Sequence, residues 1–136
     1  MDSGEYKGDT LFEYILMEGK KVTGTHARKY DKFPILIKFI DAKKDLSIQV
    51  HPDDDYALKN EGQYGKTEMW YIMECDEGSF VYYGFSREVS KEELQERIKN
   101  KTLPEVLNKV EVQKADVLFI EPGTIHAIGK GNVIAE

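Results

Sequence analysis

From Phe33 onward, the sequence consists of short runs of strand-forming residues that turn-forming residues separate. The runs 68–75 and 79–84 flank Asp76-Glu77-Gly78, an arrangement typical of a hairpin. Further runs follow at Val110–Gln113, Asp116–Ile120, Thr124–Ile128 and Asn132–Ala135. Roughly seven or eight short strands predict an all-β fold, either a sandwich or a closed barrel, because both architectures protect the edges of their sheets.

One stretch, at about residues 90–108, departs from this alternation. Ser90 is followed three positions later by Glu93, which is the signature of a capping box at the start of a helix. Apolar residues then recur at helical spacing, at Leu94, Ile98 and Leu103. We therefore expect a short helical insertion within an otherwise β chain.

Length and composition indicate a single globular domain. The 136 residues are 40% hydrophobic and 32% charged, which is typical of one folding unit with one core. We expect one domain over residues 1–136, in which residues 1–32 form a less regular leading segment. The net charge of −6 disfavours nucleic acid as a partner, because nucleic-acid affinity depends on contacts with phosphates.

The sequence also carries no signal for a membrane or a secretory pathway. The longest apolar stretch, Pro34–Ile40, is interrupted by Lys38 and is far shorter than the ~20 residues that a membrane span requires. The N-terminus lacks the positive flank and apolar run of a signal peptide. Cys75 is the only cysteine, which excludes an internal disulfide and fits a reducing compartment. We expect a cytoplasmic protein without a membrane partner.

Four polar residues form a candidate metal site. In the predicted strand 46–51, Gln49 and His51 lie on the same face, ~6.5 Å apart along the strand. Glu68 begins an aromatic-rich strand, and His126 follows a turn that leads into another strand. Each residue alone could be an ordinary surface residue, but together they offer two nitrogen and two oxygen donors. Such a set suits zinc best, with manganese, iron or cobalt as substitutes.

The remaining histidine and the single cysteine give weaker indications of a functional site. His26 lies in a polar segment without a strand pattern, and we expect a surface or structural role for it. Cys75 has no histidine at a suggestive spacing, so it is interpreted as a buried or half-buried small side chain.

Four segments, taken in order, resemble the type I mannose-6-phosphate isomerases (phosphomannose isomerases), in particular their short bacterial form. The segments are Phe33–Lys38, Leu46–Asp53, Gly65–Tyr71 and Glu121–Ala127. The resemblance implies a cupin-type jelly-roll barrel and one zinc ion per chain. It also implies zinc ligands at the four positions named above, Gln49, His51, Glu68 and His126, and catalytic or substrate-pocket roles at Lys38, Lys66 and Glu136.

The function that this resemblance implies is metal-dependent interconversion of mannose 6-phosphate and fructose 6-phosphate, with a small sugar phosphate as partner. Members of the family carry a Trp-Gly-Gly motif and a downstream arginine that this sequence lacks. We therefore expect a truncated form, the metal-binding cupin core, with turnover weakened or lost, because removal of one charged donor costs ~10²-fold in rate. A homodimer is a possible assembly.

Two other functions remain open at this point. The first is a non-catalytic cupin module that binds a metal or a sugar. The second is an iron-dependent oxygenase-type cupin, which the pairs Lys66 with Glu68 and Gln49 with His51 disfavour, since both look like the isomerase.

Overall fold

The computed structural model describes all residues, Met1–Glu136. The chain divides into two compact units, Met1–Leu36 and Ile37–Glu136, and the assignment of residues 1–136 to one domain stays a prediction. No helix combines the length and the apolar character needed to cross a membrane.

The first unit is helical. Its elements are helix α1 (Leu11–Glu18), a 3-10 turn (Lys20–Thr23) and helix α2 (Gly24–Ala27). Helix α1 begins at a capping box, in which the Thr10 side chain accepts from the backbone of Glu13 and the Glu13 side chain accepts from the backbone of Thr10. His26 lies in α2 and is exposed, as expected for a surface residue.

Seven strands form the second unit. They are β1 (Phe39–Ala42), β2 (Glu68–Cys75), β3 (Phe80–Phe85), β4 (Leu107–Glu111), β5 (Val117–Ile120), β6 (His126–Ile128) and β7 (Asn132–Ala135). The order β1-β7-β2-β5 makes one antiparallel sheet, and the order β4-β3-β6 makes a second. Two of the predicted strands, 68–75 and 132–135, have the same bounds as β2 and β7. The mainly β character is confirmed.

Both sheets contribute to one hydrophobic core. Along β2 the side chains alternate, so that Trp70 and Ile72 are buried whereas Met69 and Tyr71 are exposed, as the period of two requires. The buried cluster comprises Ala42, Trp70, Ile72, Val81, Ile120, Ile128 and Ile134. The inner face of β2 therefore lies against this core, and Glu68 lies on that face at the start of the strand.

Two further helices lie in the second unit, α3 (Asp54–Asn60) and α4 (Lys91–Asn100), and a 3-10 turn spans Leu103–Val106. Helix α4 begins at Ser90, whose hydroxyl accepts from the backbone of Glu93, so the predicted helical insertion at about residues 90–108 is confirmed. Helix α3 follows the predicted strand 46–51 and is not predicted from the sequence. The Asp53 side chain caps this helix by accepting from the backbone of Tyr56 at 2.8 Å.

The prediction of a regular strand at residues 46–51 is wrong. Only Gln49 forms a bridge, through two 2.9 Å backbone hydrogen bonds with His126. The Leu46 amide donates to Ile128 and the Gly123 amide donates to His51, and both bonds are displaced by one residue from the register of that bridge. Because a ladder needs a constant register, the segment is not a regular strand.

Candidate metal centre

Three of the predicted ligands converge at the start of β2. Glu68 is the first residue of β2, His126 is the first residue of β6, and His51 follows the Gln49 bridge. Their ligand atoms lie within 4.8 Å of one another. The side chains of Glu68 and His126 are 3% and 4% exposed, and that of His51 is 21% exposed. The site is therefore a nearly enclosed cluster of one carboxylate and two imidazoles, between the two sheets.

The carboxylate of Glu68 lies between the two imidazoles. Its Oε1 is 3.2 Å from His51 Nε2, and its Oε2 is 3.4 Å from His126 Nε2. Despite this proximity, His51 Nε2 and Glu68 Oε2 are buried and lack hydrogen-bond geometry to any partner. Buried polar atoms without partners are costly. A cation bound among these donors would satisfy them, so the cluster fits a divalent metal ion.

The tautomer of His126 follows from its second nitrogen. Nδ1 lies 2.8 Å from the backbone carbonyl oxygen of Thr124. A carbonyl can only accept, so Nδ1 carries a proton, and in the neutral imidazole the lone pair is then on Nε2, which faces Glu68. Trp70 contacts the same imidazole edge-on, with ring centroids 5.5 Å apart. His126 is thus held in the form that binds metals through Nε2.

Gln49 takes a different position from the other three. Its backbone amide and carbonyl both hydrogen-bond to the backbone of His126. Its side chain, however, is exposed, and the side-chain amide nitrogen donates to the hydroxyl of Ser47 at 2.9 Å. The two backbone hydrogen bonds therefore hold Gln49 beside the cluster. Its role as the fourth ligand of the metal stays a prediction.

The predicted catalytic residues form an ionic chain that ends at Glu68. The ammonium group of Lys38 contacts Glu136, and the ammonium group of Lys66 contacts Glu68. Lys66 also lies 3.4 Å from Glu136. Lys38 immediately precedes β1 and exchanges two 2.8 Å backbone hydrogen bonds with Glu136. All three residues therefore adjoin the candidate centre.

Electrostatics fix the charge of these groups at neutral pH. Burial is the main cause that lowers the pKa of His51; the charge of Glu68 opposes it, the charge of Lys66 adds to it, and the net shift is downward. Burial also opposes charge on Lys66, but the hydrogen bond to Glu68 and the charges of Glu68 and Glu136 raise its pKa overall. His51 is consequently neutral and able to bind a metal, while Lys66 is cationic.

Glu136 is ionised. Burial would raise its pKa, but the hydrogen bond from Lys38 and the charges of Lys66 and Lys38 outweigh burial and lower the pKa. The centre therefore combines two carboxylates with two ammonium groups and two imidazoles, a nearly balanced set of charges.

Two contributors to the site were missed from the sequence. Thr124 acts through its backbone carbonyl, which no side-chain pattern reveals, although the adjacent Pro122-Gly123 pair indicates a turn. Trp70 was interpreted as part of a strand, and the alternation of β2 places it beside Glu68 on the inner face.

Cys75 is half-buried, as expected, and its Sγ lies 3.6 Å from the carbonyl of Val112.

Comparison with known families identifies a consistent similarity. The family model "Phosphomannose isomerase type I, catalytic domain" matches residues 1–81. The mannose-6-phosphate isomerase of Streptococcus mutans is 43% identical over 134 residues, which are 98% of this chain and 41% of that protein. The mannose-6-phosphate isomerase ManA of Bacillus subtilis is 40% identical over 137 aligned positions, covering 100% of this chain and 42% of that protein.

A solved structure shows the same similarity in three dimensions. The crystal structure of the mannose 6-phosphate isomerase from Bacillus subtilis superposes with a TM-score of 0.85 at 39% identity, covering 98% of this chain and 42% of that one. The chain thus spans less than half the length of each of these relatives.

Proposed function

Because this chain belongs to the type I phosphomannose isomerases, we propose that it forms the metal-binding part of an enzyme that interconverts mannose 6-phosphate and fructose 6-phosphate. The family membership confirms the resemblance noted in the sequence. The relatives named above are mannose-6-phosphate isomerases, which supports a sugar phosphate as the substrate of this chain. Within the proposal, the second unit is a cupin-type jelly roll.

One observation carries the proposal: the buried cluster of His51, Glu68 and His126 has donor atoms that no protein group satisfies. Two imidazole nitrogens and one carboxylate are the donor set of many catalytic zinc sites, which keep a further position open. We therefore assign zinc as the resident metal, with Gln49 as a fourth ligand and other divalent metals as substitutes.

The isomerisation moves one proton between two carbons and another between their oxygens. A divalent cation at this site would supply Lewis acidity to the sugar carbonyl and favour the enediolate formed on proton transfer. The ammonium group of Lys66, next to Glu68, is placed to neutralise a developing oxyanion or to hold the oxygen-bound proton. Glu136 accepts from Lys38 and Lys66 and keeps both ammonium groups directed toward the centre.

The direct test is a coupled assay of mannose 6-phosphate conversion by the purified chain with added zinc, together with metal analysis. We expect bound zinc, and weakened turnover that a chelator and the variant His51→Ala both abolish. His26→Ala is the matched control, because His26 is exposed and lies in the first unit. A chain that binds no divalent metal would overturn the proposal.

The same assay separates the alternatives. Stoichiometric zinc without turnover at high protein concentration would indicate a non-catalytic metal- or sugar-binding module. Oxygen consumption with bound iron would indicate an oxygenase-type cupin. Neither alternative is supported by the family membership.

We further propose a homodimer in the cytoplasm. The outer face of the four-stranded sheet carries apolar residues that pair across its strands, with Met69 opposite Phe119 and Tyr71 opposite Val117. All four are exposed, and exposed apolar patches often mark association surfaces. Light scattering of wild type and Phe119→Lys tests this: a dimer that the charge converts to a monomer supports it, and a monomeric wild type contradicts it.

A further inference from the structure

The segment Glu121-Pro122-Gly123-Thr124 is a tight turn that one residue, Ile125, separates from His126. The Thr124 amide donates to the Glu121 carbonyl at 3.1 Å, Pro122 occupies the second position, and Gly123 has φ +83°. This combination defines a type II β-turn, which requires a positive φ at its third residue. A Cβ added at Gly123 would meet no atom within 4 Å. The requirement for glycine there is therefore conformational and not steric.

The turn contacts both histidines of the candidate metal centre through its backbone. The Gly123 amide donates to the His51 carbonyl at 2.8 Å. The Thr124 carbonyl accepts from Nδ1 of His126, also at 2.8 Å. The two contacts are made by the peptides on either side of the Gly123–Thr124 peptide, through the amide of Gly123 and the carbonyl of Thr124. The orientation of the Thr124 carbonyl relative to the Gly123 amide therefore depends on the backbone angles of Gly123 together with those of Thr124.

We infer that Gly123 is a positioning residue, which sets the tautomer and ring orientation of His126 through the Thr124 carbonyl and at the same time fixes His51. The inference rests on the proposed metal site and adds to it the group that prepares His126 for binding. Hydrogen-bond partners of metal-binding histidines typically change metal affinity by ~10–100-fold when they are lost.

The test uses zinc ions alone and three variants. Gly123→Ala strains the turn, and we expect zinc affinity, measured by competition with a chromogenic chelator, to fall by ~10-fold or more. Gly123→Asn should restore affinity, because asparagine tolerates a positive φ better than alanine does.

Gly78→Ala is the matched control for backbone strain. Gly78 has φ +74° and no atom within 4 Å of an added Cβ, but it lies in the turn between β2 and β3, beyond the far end of the strand that begins with Glu68. We expect it to lower the melting temperature as much as Gly123→Ala does, without a change in zinc affinity.

A second readout does not require metal. Long-range ¹⁵N NMR of the metal-free chain should show His126 with its proton on Nδ1 in the wild type and a population protonated on Nε2 in Gly123→Ala. If Gly123→Ala keeps both the wild-type tautomer and the wild-type zinc affinity, the inference is overturned. If the wild type binds no zinc, the proposed function fails, while the tautomer measurement still decides the role of the turn.

Discussion

Lys66 and Glu136 are 70 residues apart in the sequence, yet Nζ of Lys66 lies 3.4 Å from Oε1 of Glu136. The same oxygen receives the ammonium group of Lys38. The Glu136 side chain is 9% exposed, while the lysine side chains are 39% and 38% exposed. One nearly buried carboxylate thus holds two cations beside the candidate metal centre.

Glu136→Gln should destabilise the chain by about 1 kcal/mol, because it leaves two ammonium groups close together without their anion, while solvent screens part of the effect. Urea unfolding at neutral pH measures the change. Glu74→Gln is the control, since Glu74 pairs with Lys114 on an exposed surface. Equal effects of the two substitutions would contradict the special role of Glu136.

The effect of Glu136→Gln should also depend on pH. The folded-state pKa of Glu136 is lowered below its ordinary value of 4.5, since the contacts with Lys38 and Lys66 outweigh burial. A lowered pKa stabilises the folded state above the unfolded value, and this contribution is lost as the pH falls through the folded value. We expect the difference between wild type and variant to shrink as the pH is lowered below 4.5. A constant difference would argue against an electrostatic cause.

Gln49→Ala separates the backbone role of Gln49 from its proposed role as a ligand. The side chain is exposed, so the free energy of unfolding of the metal-free chain should change by no more than ~0.5 kcal/mol. If the amide oxygen binds the metal, zinc affinity should fall clearly. Ser47→Ala, which removes the acceptor of the Gln49 amide, should bind zinc normally. Unchanged affinity in Gln49→Ala would leave a site with three protein ligands.

Trp70 is 1% exposed and its Nε1 has no hydrogen-bond partner. Trp70→Ala should cost about 3–5 kcal/mol through the cavity it leaves. Trp70→Phe should cost far less, because it keeps a ring against His126 and removes an unsatisfied donor. Chemical denaturation followed by circular dichroism compares them, with Met69→Ala on the exposed face of β2 as the control. Equal losses of stability in Trp70→Ala and Trp70→Phe would contradict this explanation, because the ring that phenylalanine keeps would then contribute nothing.

Glu93 links two arginines at helix α4. Its Oε1 lies 2.5 Å from Arg87 Nη2 and 2.7 Å from Arg97 Nε. The hydrogen bonds from Arg87 and Arg97 lower the pKa of Glu93 to about 2. The stabilisation should therefore be complete above the ordinary value of 4.5 and decline as the pH approaches about 2.

The thermal unfolding of Glu93→Gln, followed over this range, measures that contribution. The variant should melt below the wild type at neutral pH, and the gap should close in strong acid. Glu96→Gln, at an exposed position of the same helix, should show no such dependence. A gap that persists in strong acid would argue against the ion pairs as its source.

The sequence by itself determined the elements whose signals are local. The alternation of β2 and β7 and the cap of α4 at Ser90 depend on residues two or three positions apart, so they can be read without a fold. The candidate ligands His51, Glu68 and His126 were also identifiable, because their residue types and flanking motifs carry the resemblance to a family.

Only the tertiary structure decided how these groups meet. The register displacement beside Gln49, the contact between Lys66 and Glu136, and the carbonyl of Thr124 at His126 all depend on pairing between segments distant in the chain. Local propensity contains no information on such pairing, since it is set by how the two sheets bury one shared core. The sequence thus identified the candidate metal ligands, and the packing of the sheets placed three of them close enough to bind one ion.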